Sequence, residues 1–259
     1  MNLPLSRRCH LVSLGCPKNQ VDAEVMLGVL AQAGYRPCQE AADADLILVN
    51  TCGFIQAAVE ESIEAILELA QIKNRRPEVR LVVTGCLVQR YQEELVRELP
   101  EVDLFVGPDG VGRLAAFLAE EENGRGRLHL PAQPYLMDAR TPRLLATPSH
   151  RAYLKVTEGC NHRCSYCLIP AIRGPLRSRP VADLTAEANR LEQAGCQECT
   201  LVAQDLTAYG TDLGRSGPRL SDLLAALVRE TNLPWIRMLY LHPARVDDAL
   251  LDLVAEEPR

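Results

Sequence analysis

Eight consecutive residues, Cys160-Asn161-His162-Arg163-Cys164-Ser165-Tyr166-Cys167, carry three cysteines in the pattern CxxxCxxC. Three thiolates on one short loop can each take an iron of a four-iron cube, leaving the fourth iron without a protein ligand. An open coordination position on a metal is where a substrate or cofactor binds. His162 lies in the same loop, so a structural zinc is an alternative, although C-x-H-x-C is not an ordinary finger spacing. A third reading is three buried thiols with no metal.

Cys16, Cys52 and Cys86 form a second, dispersed set, separated by 36 and then 34 residues. Those intervals are about one βα unit each. Each cysteine follows a strand-like run and has a glycine neighbour, in Leu14-Gly15-Cys16, Cys52-Gly53 and Gly85-Cys86. Singly, each would be a small buried hydrophobe. Together they read as three βα loops bringing three thiolates to the carboxyl edge of one sheet, where open α/β sheets bind ligands. Cys9 and Cys38 are expected in the core, as are Cys196 and Cys199, whose CxxC spacing straddles a helix end and a strand start.

The elements that position these loops are legible in the apolar pattern. In the first half, strands are expected at His10–Leu14, Leu46–Asn50, Leu81–Thr84 and Leu104–Val106. Helices are expected at Val21–Gln32, Gln56–Ile72, Val88–Leu99 and Gly112–Glu121. Strands alternating with helices imply an open parallel sheet wrapped by helices. Residues 123–147, rich in Pro, Gly and Arg, read as a linker with one extended segment. The pattern then restarts with strands at Ala152–Thr157, Cys199–Ala203 and Trp235–Leu241. Helices follow at Val181–Ala194, Leu220–Glu230 and Asp247–Ala255. Three parallel strands make half a barrel with an open edge. The expected domains are therefore 1–122 and 148–259.

The chain has 259 residues, 47% hydrophobic and 24% charged. At about 100–200 residues per domain this suggests two domains, and the composition excludes a disordered or fibrous chain. No run approaches the roughly 20 apolar residues of a membrane span, and Met1–Arg8 holds no apolar secretory segment. A cytoplasmic location is expected, where ten cysteines point to metal or catalysis rather than disulfides. With 28 Lys+Arg against 34 Asp+Glu, the net charge of −6 argues against a protein that holds nucleic acid mainly through phosphates.

The motif CxxxCx(aromatic)C after the first strand of the second half resembles the signature of radical S-adenosylmethionine enzymes. The resemblance implies that Cys160, Cys164 and Cys167 ligate a catalytic 4Fe-4S cluster whose open iron binds S-adenosylmethionine, with Tyr166 packing near the cofactor. Reduction of that cluster would release a 5′-deoxyadenosyl radical, so the cofactor carries the hard chemistry. The preceding α/β domain with its three spaced cysteines resembles the methylthiotransferases. There Cys16, Cys52 and Cys86 would hold a second 4Fe-4S cluster, the site of the sulfur to be inserted.

Ser13-Leu14-Gly15-Cys16-Pro17-Lys18-Asn19-Gln20-Val21-Asp22 is similar to the RimO branch, as are Glu158-Gly159-Cys160-Asn161-His162-Arg163-Cys164 and Ala203-Gln204-Asp205-Leu206-Thr207-Ala208-Tyr209-Gly210. The MiaB branch, which modifies tRNA, has Gln-Met after its first cysteine and Gln-Asn where this chain has Gln204-Asp205. The resemblance implies methylthiolation of the β-carbon of an aspartate in ribosomal protein S-twelve of the small subunit, with flavodoxin or ferredoxin as electron donor and no membrane partner. A tRNA adenosine substrate is the alternative, and a non-catalytic iron–sulfur module is another. Ala23 stands where the family commonly has serine. The family's barrel would continue for three more strands and a TRAM domain, so the chain is expected to be a C-terminally truncated fragment.

Around the cluster loop, Glu158 and Asn161 are candidates for cofactor binding through supporting hydrogen bonds. Gln204 and Asp205, at the end of the second barrel strand, are candidates for lining the cofactor or substrate site, as is His242 after the third. Lys155, Glu158 and Asn161 could equally be solvated strand-end residues. Arg173, Arg177 and Arg179 read as substrate or cofactor contacts or as solvated loop charges. Glu60, Glu61, Glu64 and Glu68 read as the solvated face of a helix.

Overall fold

A computed structural model describes residues 7–120 and 127–259. The expected start of the linker at residue 123 and the helix end expected at Glu121 lie outside the described residues. The chain forms two compact units, Met1–Tyr135 with Pro142–Leu144, and Leu136–Thr141 with Leu145–Arg259.

In the first unit, strands β1 (Arg7–Ser13), β2 (Tyr35–Pro37), β3 (Leu46–Thr51), β4 (Arg80–Gly85), β5 (Leu104–Val106) and β6 (Arg127–His129) form one parallel sheet in the order β2-β1-β3-β4-β5-β6. Successive side chains on a strand point to opposite faces, and the core divides accordingly. Ile47, Val49, Leu81, Val83 and Phe105 pack on one face with Val59, Ile66 and Leu69 of α2 (Gln56–Arg75) and Leu87, Val88 and Leu95 of α3 (Cys86–Glu98). Leu46, Leu48, Val82, Leu104 and Val106 pack on the other with Met26, Leu27 and Leu30 of α1 (Pro17–Gln32) and Leu114 and Phe117 of α4 (Leu114–Ala119). Burial on both faces explains why the central strands read as unbroken apolar runs.

The helix expected from Val21 starts at Pro17, directly after Cys16. Proline suits the first helical position, and Lys18, Asn19, Asp22 and Glu24 of that helix are buried rather than solvated. Glu24 is held by Arg143 at 2.6 Å. The helix expected from Val88 starts at Cys86. Glu60, Glu61, Glu64 and Glu68 do lie on the exposed side of α2.

In the second unit, β7 (Arg151–Lys155), β10 (Glu198–Val202) and β11 (Trp235–Met238) are parallel in the order β11-β10-β7. A two-residue antiparallel pair, β8 (Thr157–Glu158) with β9 (Arg177–Ser178), and the short α5 (Ile169–Arg173) frame the cysteine loop. Helices α6 (Val181–Gln193), α7 (Leu220–Glu230) and α8 (Asp248–Glu256) follow, and Leu154, Leu184, Leu201, Leu223 and Leu227 lie in one core cluster.

Three charges expected at strand ends or on loops lie inside. Lys155, Arg173 and Arg179 are buried, Arg179 completely. Arg179 is held by Asp183 at 2.7 Å and Glu187 at 2.6 Å on α6, and it donates to the Lys155 carbonyl at 2.9 Å. The Tyr209 hydroxyl donates to the Arg179 carbonyl at 2.7 Å. Arg179 thus ties α6 to the end of β7, directly before the cysteine loop. Removing one partner of a buried ion pair leaves a charge without compensation. Arg179→Ala should therefore lower stability by about 3–5 kcal/mol. Trp235, the single tryptophan, sits in this unit, so urea unfolding followed by its fluorescence measures the loss. An unchanged midpoint would show that the network does not carry this load.

Candidate metal centres

The first candidate site is built on strand register. Ser13 pairs with Asn50, and Asn50 with Thr84, so β1, β3 and β4 end side by side. Strand order reverses at β1, with β2 on one side and β3 on the other, and that switch point is where doubly wound sheets open a ligand crevice. Cys16 caps the N-terminus of α1, Cys52 follows β3, and Cys86 opens α3. Helix N-termini are favourable places for negative charge.

The glycine neighbours let the three loops close on one another. A Cβ on Gly15 would lie 2.8 Å from the Cys52 Cβ, and one on Gly53 would lie 2.9 Å from the Cys86 backbone. Gly85 has φ +100, and a Cβ there would lie 2.6 Å from the Thr51 oxygen. The Asn19 amide donates to the carbonyls of Leu14 (3.0 Å) and Thr51 (2.9 Å), while the Asn50 amide donates to the Asn19 carbonyl (2.7 Å). Ser62 accepts from the Cys52 N–H and donates back to its carbonyl. Cys16 is exposed, Cys52 half-buried and Cys86 buried, and none is in a disulfide.

The second candidate site tops the other sheet. Gly159 has φ +73 and lies so close to the Pro175 carbonyl that a Cβ would sit 2.0 Å from it. The Cys160 N–H donates to the Gly174 carbonyl at 3.1 Å, and Asn161 accepts from the Leu176 N–H at 3.0 Å. Cys164 is exposed, and Cys160 and Cys167 are half-buried. Beneath the loop, the Glu158 carboxylate meets Lys155 at 2.9 Å and Arg173 at 3.4 Å.

From the loop, His162 Nε2 reaches Asp205 Oδ2 at 2.6 Å, and its ring stacks on His242 with centroids 5.1 Å apart. Asp205 also accepts from the Thr207 N–H at 3.0 Å and from its hydroxyl. Burial would raise the Asp205 carboxyl, but hydrogen bonds from Thr207 and His162, with the charges of His162 and Arg245, outweigh it and hold it below its ordinary value. A cavity of about 420 Å³ opens here, lined by Asn161, His162, Leu176, Thr207, Thr211 and Arg245 among others.

Among the described residues no three His, Cys, Asp or Glu side chains converge on one point, as ligands of a single zinc ion must. A four-iron cube takes one thiolate per iron, so its ligands stand round it instead. Two sets of three free cysteines stand on loops at the carboxyl ends of two parallel sheets.

Residues 8–107 match the model of Uncharacterized protein family UPF0004, and residues 154–258 match that of the Radical SAM superfamily. A protein of Desulfotalea psychrophila named ribosomal protein uS12 methylthiotransferase RimO is 54% identical over 252 residues, 96% of this chain and 56% of its own length. Proteins of the same name from Anaeromyxobacter sp. (strain K) and Myxococcus xanthus are 51% and 48% identical, over 98% and 100% of this chain and 54% of their own length. Over nearly its whole length the chain is similar to radical S-adenosylmethionine methylthiotransferases. It spans about half the length of these relatives.

Two solved structures are similar in fold. The radical S-adenosylmethionine methyltransferase TsrM of Kitasatospora setae has a TM-score of 0.62 at 17% identity, over 96% of this chain and 57% of that one. The cobalamin-dependent radical enzyme OxsB has 0.53 at 11%, over 97% and 42%. The fold is an open parallel-sheet α/β domain followed by the first βα units of a radical-SAM partial (β/α)6 barrel.

The other candidate residues fall unevenly. Asn161 and Asp205 face the cavity or brace its wall, and Gln204 is half-buried beside Asp205. Glu158 is turned inward to Lys155 and Arg173, and Tyr166 is 82% exposed. Arg245 and Thr207 were not singled out by sequence reasoning. They lie on turns with no apolar period, and only the fold brings them to the cysteine loop.

Outside the two sets, Cys9, Cys196 and Cys199 are buried as expected, whereas Cys38, expected in the core, follows the edge strand β2 and is only half-buried against it. Burial, helped by neighbouring Cys38, pushes the Cys9 thiol up to about 11. At pH 8 its thiolate fraction is then roughly a few hundred-fold below that of a thiol near 8.5. In the iron-free chain, iodoacetamide at pH 8 followed by peptide mass mapping should label Cys16 and Cys164 first and Cys9 last, with the Cys9 rate climbing toward pH 11. Equal rates for Cys9 and Cys164 would contradict this assignment.

Proposed function

We propose that the chain is the N-terminal and radical portion of an enzyme that attaches a methylthio group to the β-carbon of an aspartate in ribosomal protein S-twelve. The observation that carries this reading is the doubled arrangement of three thiols, each set short of the fourth ligand of a cube. A cluster that only moves electrons is better served by four cysteines, because it needs no open iron.

Cys160, Cys164 and Cys167 would hold one 4Fe-4S cluster and Cys16, Cys52 and Cys86 the other. When bound with S-adenosylmethionine, the first supplies reductive cleavage of the sulfonium and hydrogen abstraction from carbon, and the second supplies the sulfur. The chain's own residues hold these groups in place. Gly159 lets the loop turn against Pro175, and Asp205 braces it through His162. Asn161, Gln204 and Asp205 would line the cofactor, with Glu158 supporting from below and Tyr166 closing over it. Flavodoxin or ferredoxin would donate the electron. A cytoplasmic location agrees with these partners. Among the described residues no helix is long and apolar enough to cross a membrane.

Anaerobic reconstitution followed by iron and sulfide analysis tests the reading. About eight irons are expected per chain, and about four after Cys16, Cys52 and Cys86 are all changed to Ala, or after Cys160, Cys164 and Cys167 are. The full-length enzyme with S-adenosylmethionine, sulfide and a one-electron reductant such as reduced flavodoxin should add a methylthio mass to S-twelve and not to tRNA. Four irons in both parent and first variant would remove the sulfur site, and modification of tRNA alone would replace the substrate.

A further inference from the structure

The cavity beside the cysteine loop has an electrostatic pattern that the cluster ligands do not explain. Its walls come from the carboxyl ends of all three parallel strands: Asn161 and His162 after β7 and β8, Thr207 and Thr211 after β10, and Arg245 after β11. The rim is stitched together. The Leu206 N–H donates to the Tyr240 carbonyl at 2.9 Å, and the His242 N–H donates to the Thr207 hydroxyl at 3.3 Å. Tyr240 itself stands at φ +65, which an aromatic residue adopts only under constraint.

Within this wall one negative group, Asp205, is met by His162 and by both donors of Thr207. His162 is further fixed by its stack on His242. Arg245 is different. Its backbone N–H donates to the His242 carbonyl, but among the described residues its guanidinium has no hydrogen-bond or ion-pair partner, and it stands at the cavity, near Asp205 but not bonded to it. A planar guanidinium presents a fork matched to a carboxylate. One guanidinium without a bonded partner suits a single carboxylate better than a doubly charged phosphate, and the Asn161 amide N–H group on the same wall can donate to it.

We propose that this cavity is the subsite for the acidic side chain of the residue being modified, with Arg245 receiving its carboxylate. The inference rests on the preceding section's assignment of an aspartate as target. A held carboxylate fixes the adjacent β-carbon, which is what a reaction at that carbon requires. It also supplies selectivity, because a neutral isostere forgoes the charge-assisted fork to the guanidinium.

Fluorescence anisotropy tests this, using the full chain and labelled peptides spanning the aspartate-bearing loop of S-twelve, one with Asp and one with Asn. The parent should bind the Asp peptide at least about tenfold more tightly, as a charge-assisted fork predicts. Arg245→Gln should bring the Asp peptide down to the affinity of the Asn peptide while leaving the latter unchanged, and Arg245→Lys should retain part of the preference. Equal binding of the two peptides by the parent would overturn the proposal, as would a preference that survives in R245Q. Weaker S-adenosylmethionine binding by R245Q with the Asp preference intact would assign the guanidinium to the cofactor's carboxylate instead, and would also overturn it. Iron analysis of the same preparations separates the two levels. Eight irons without an Asp preference sinks the subsite alone, whereas an Arg245-dependent preference in a chain that takes up no iron sustains the subsite and sinks the cluster chemistry.

Discussion

Parallel register is the constraint on which both candidate centres depend. In a parallel sheet every strand ends on the same edge, so residues far apart in sequence become neighbours if their strands pair at the same level. Ser13, Asn50 and Thr84 pair in one row, and the cysteines two or three positions further on are carried to one place. A shift of one residue in any pairing would also turn that strand's apolar residues to the wrong face. The same burial that stabilises the sheet therefore fixes the positions of the thiols. In the second unit, Lys155 is level with Val202, and Leu201 with Met238, so the loops after β7, β10 and β11 open together.

Register alone brings loops near each other without shaping them. Shape comes from polar groups that have no place in an apolar core and are paired where they lie. Asn19 and Asn50 tie the ends of β1 and β3 through three hydrogen bonds between side chain and backbone. Lys155, Glu158 and Arg173 form a buried ion cluster under the radical loop, and Arg179 joins the end of β7 to α6. Buried ion pairs contribute little net stability relative to apolar residues of the same size. Their geometry is strict, however, and strict geometry at the base fixes the loop above it.

How much of this could be read from residues alone follows from the range of each interaction. The central strand Leu46–Thr51 and the helix Leu220–Glu230 announce themselves because their pattern is local and repeats several times. Strands β2, β6, β8 and β9 have two or three residues, too few for a period, and three of them carry arginine beside proline, histidine or serine. The two sets of three cysteines were legible as spacing, because one set lies within a single loop and the other recurs once per βα unit. His162 and Asp205 are 43 residues apart, and no local pattern couples them. Arg179 did leave a trace, since its partners Asp183 and Glu187 follow at helical intervals and share one face.

The exposure of the cysteines follows from a division of labour between the loops and their supports. Cys16 and Cys164 contribute almost nothing to either core, so the sheet and helices can reach full packing without them. What shapes the loops is close backbone contact: Gly85 against Thr51 beside Cys86, and Gly159 against Pro175 beside Cys160, at separations that leave no room for a side chain. Close backbone contact of this kind is stiff, whereas a long side chain holding the same loop would add rotamer freedom. A ligand that must bind at an iron and react at a carbon tolerates little misplacement, since small displacements of reacting atoms cost large factors in rate. Glycine at the turn and charge at the base therefore serve one end: they fix the backbone on which the cysteines stand.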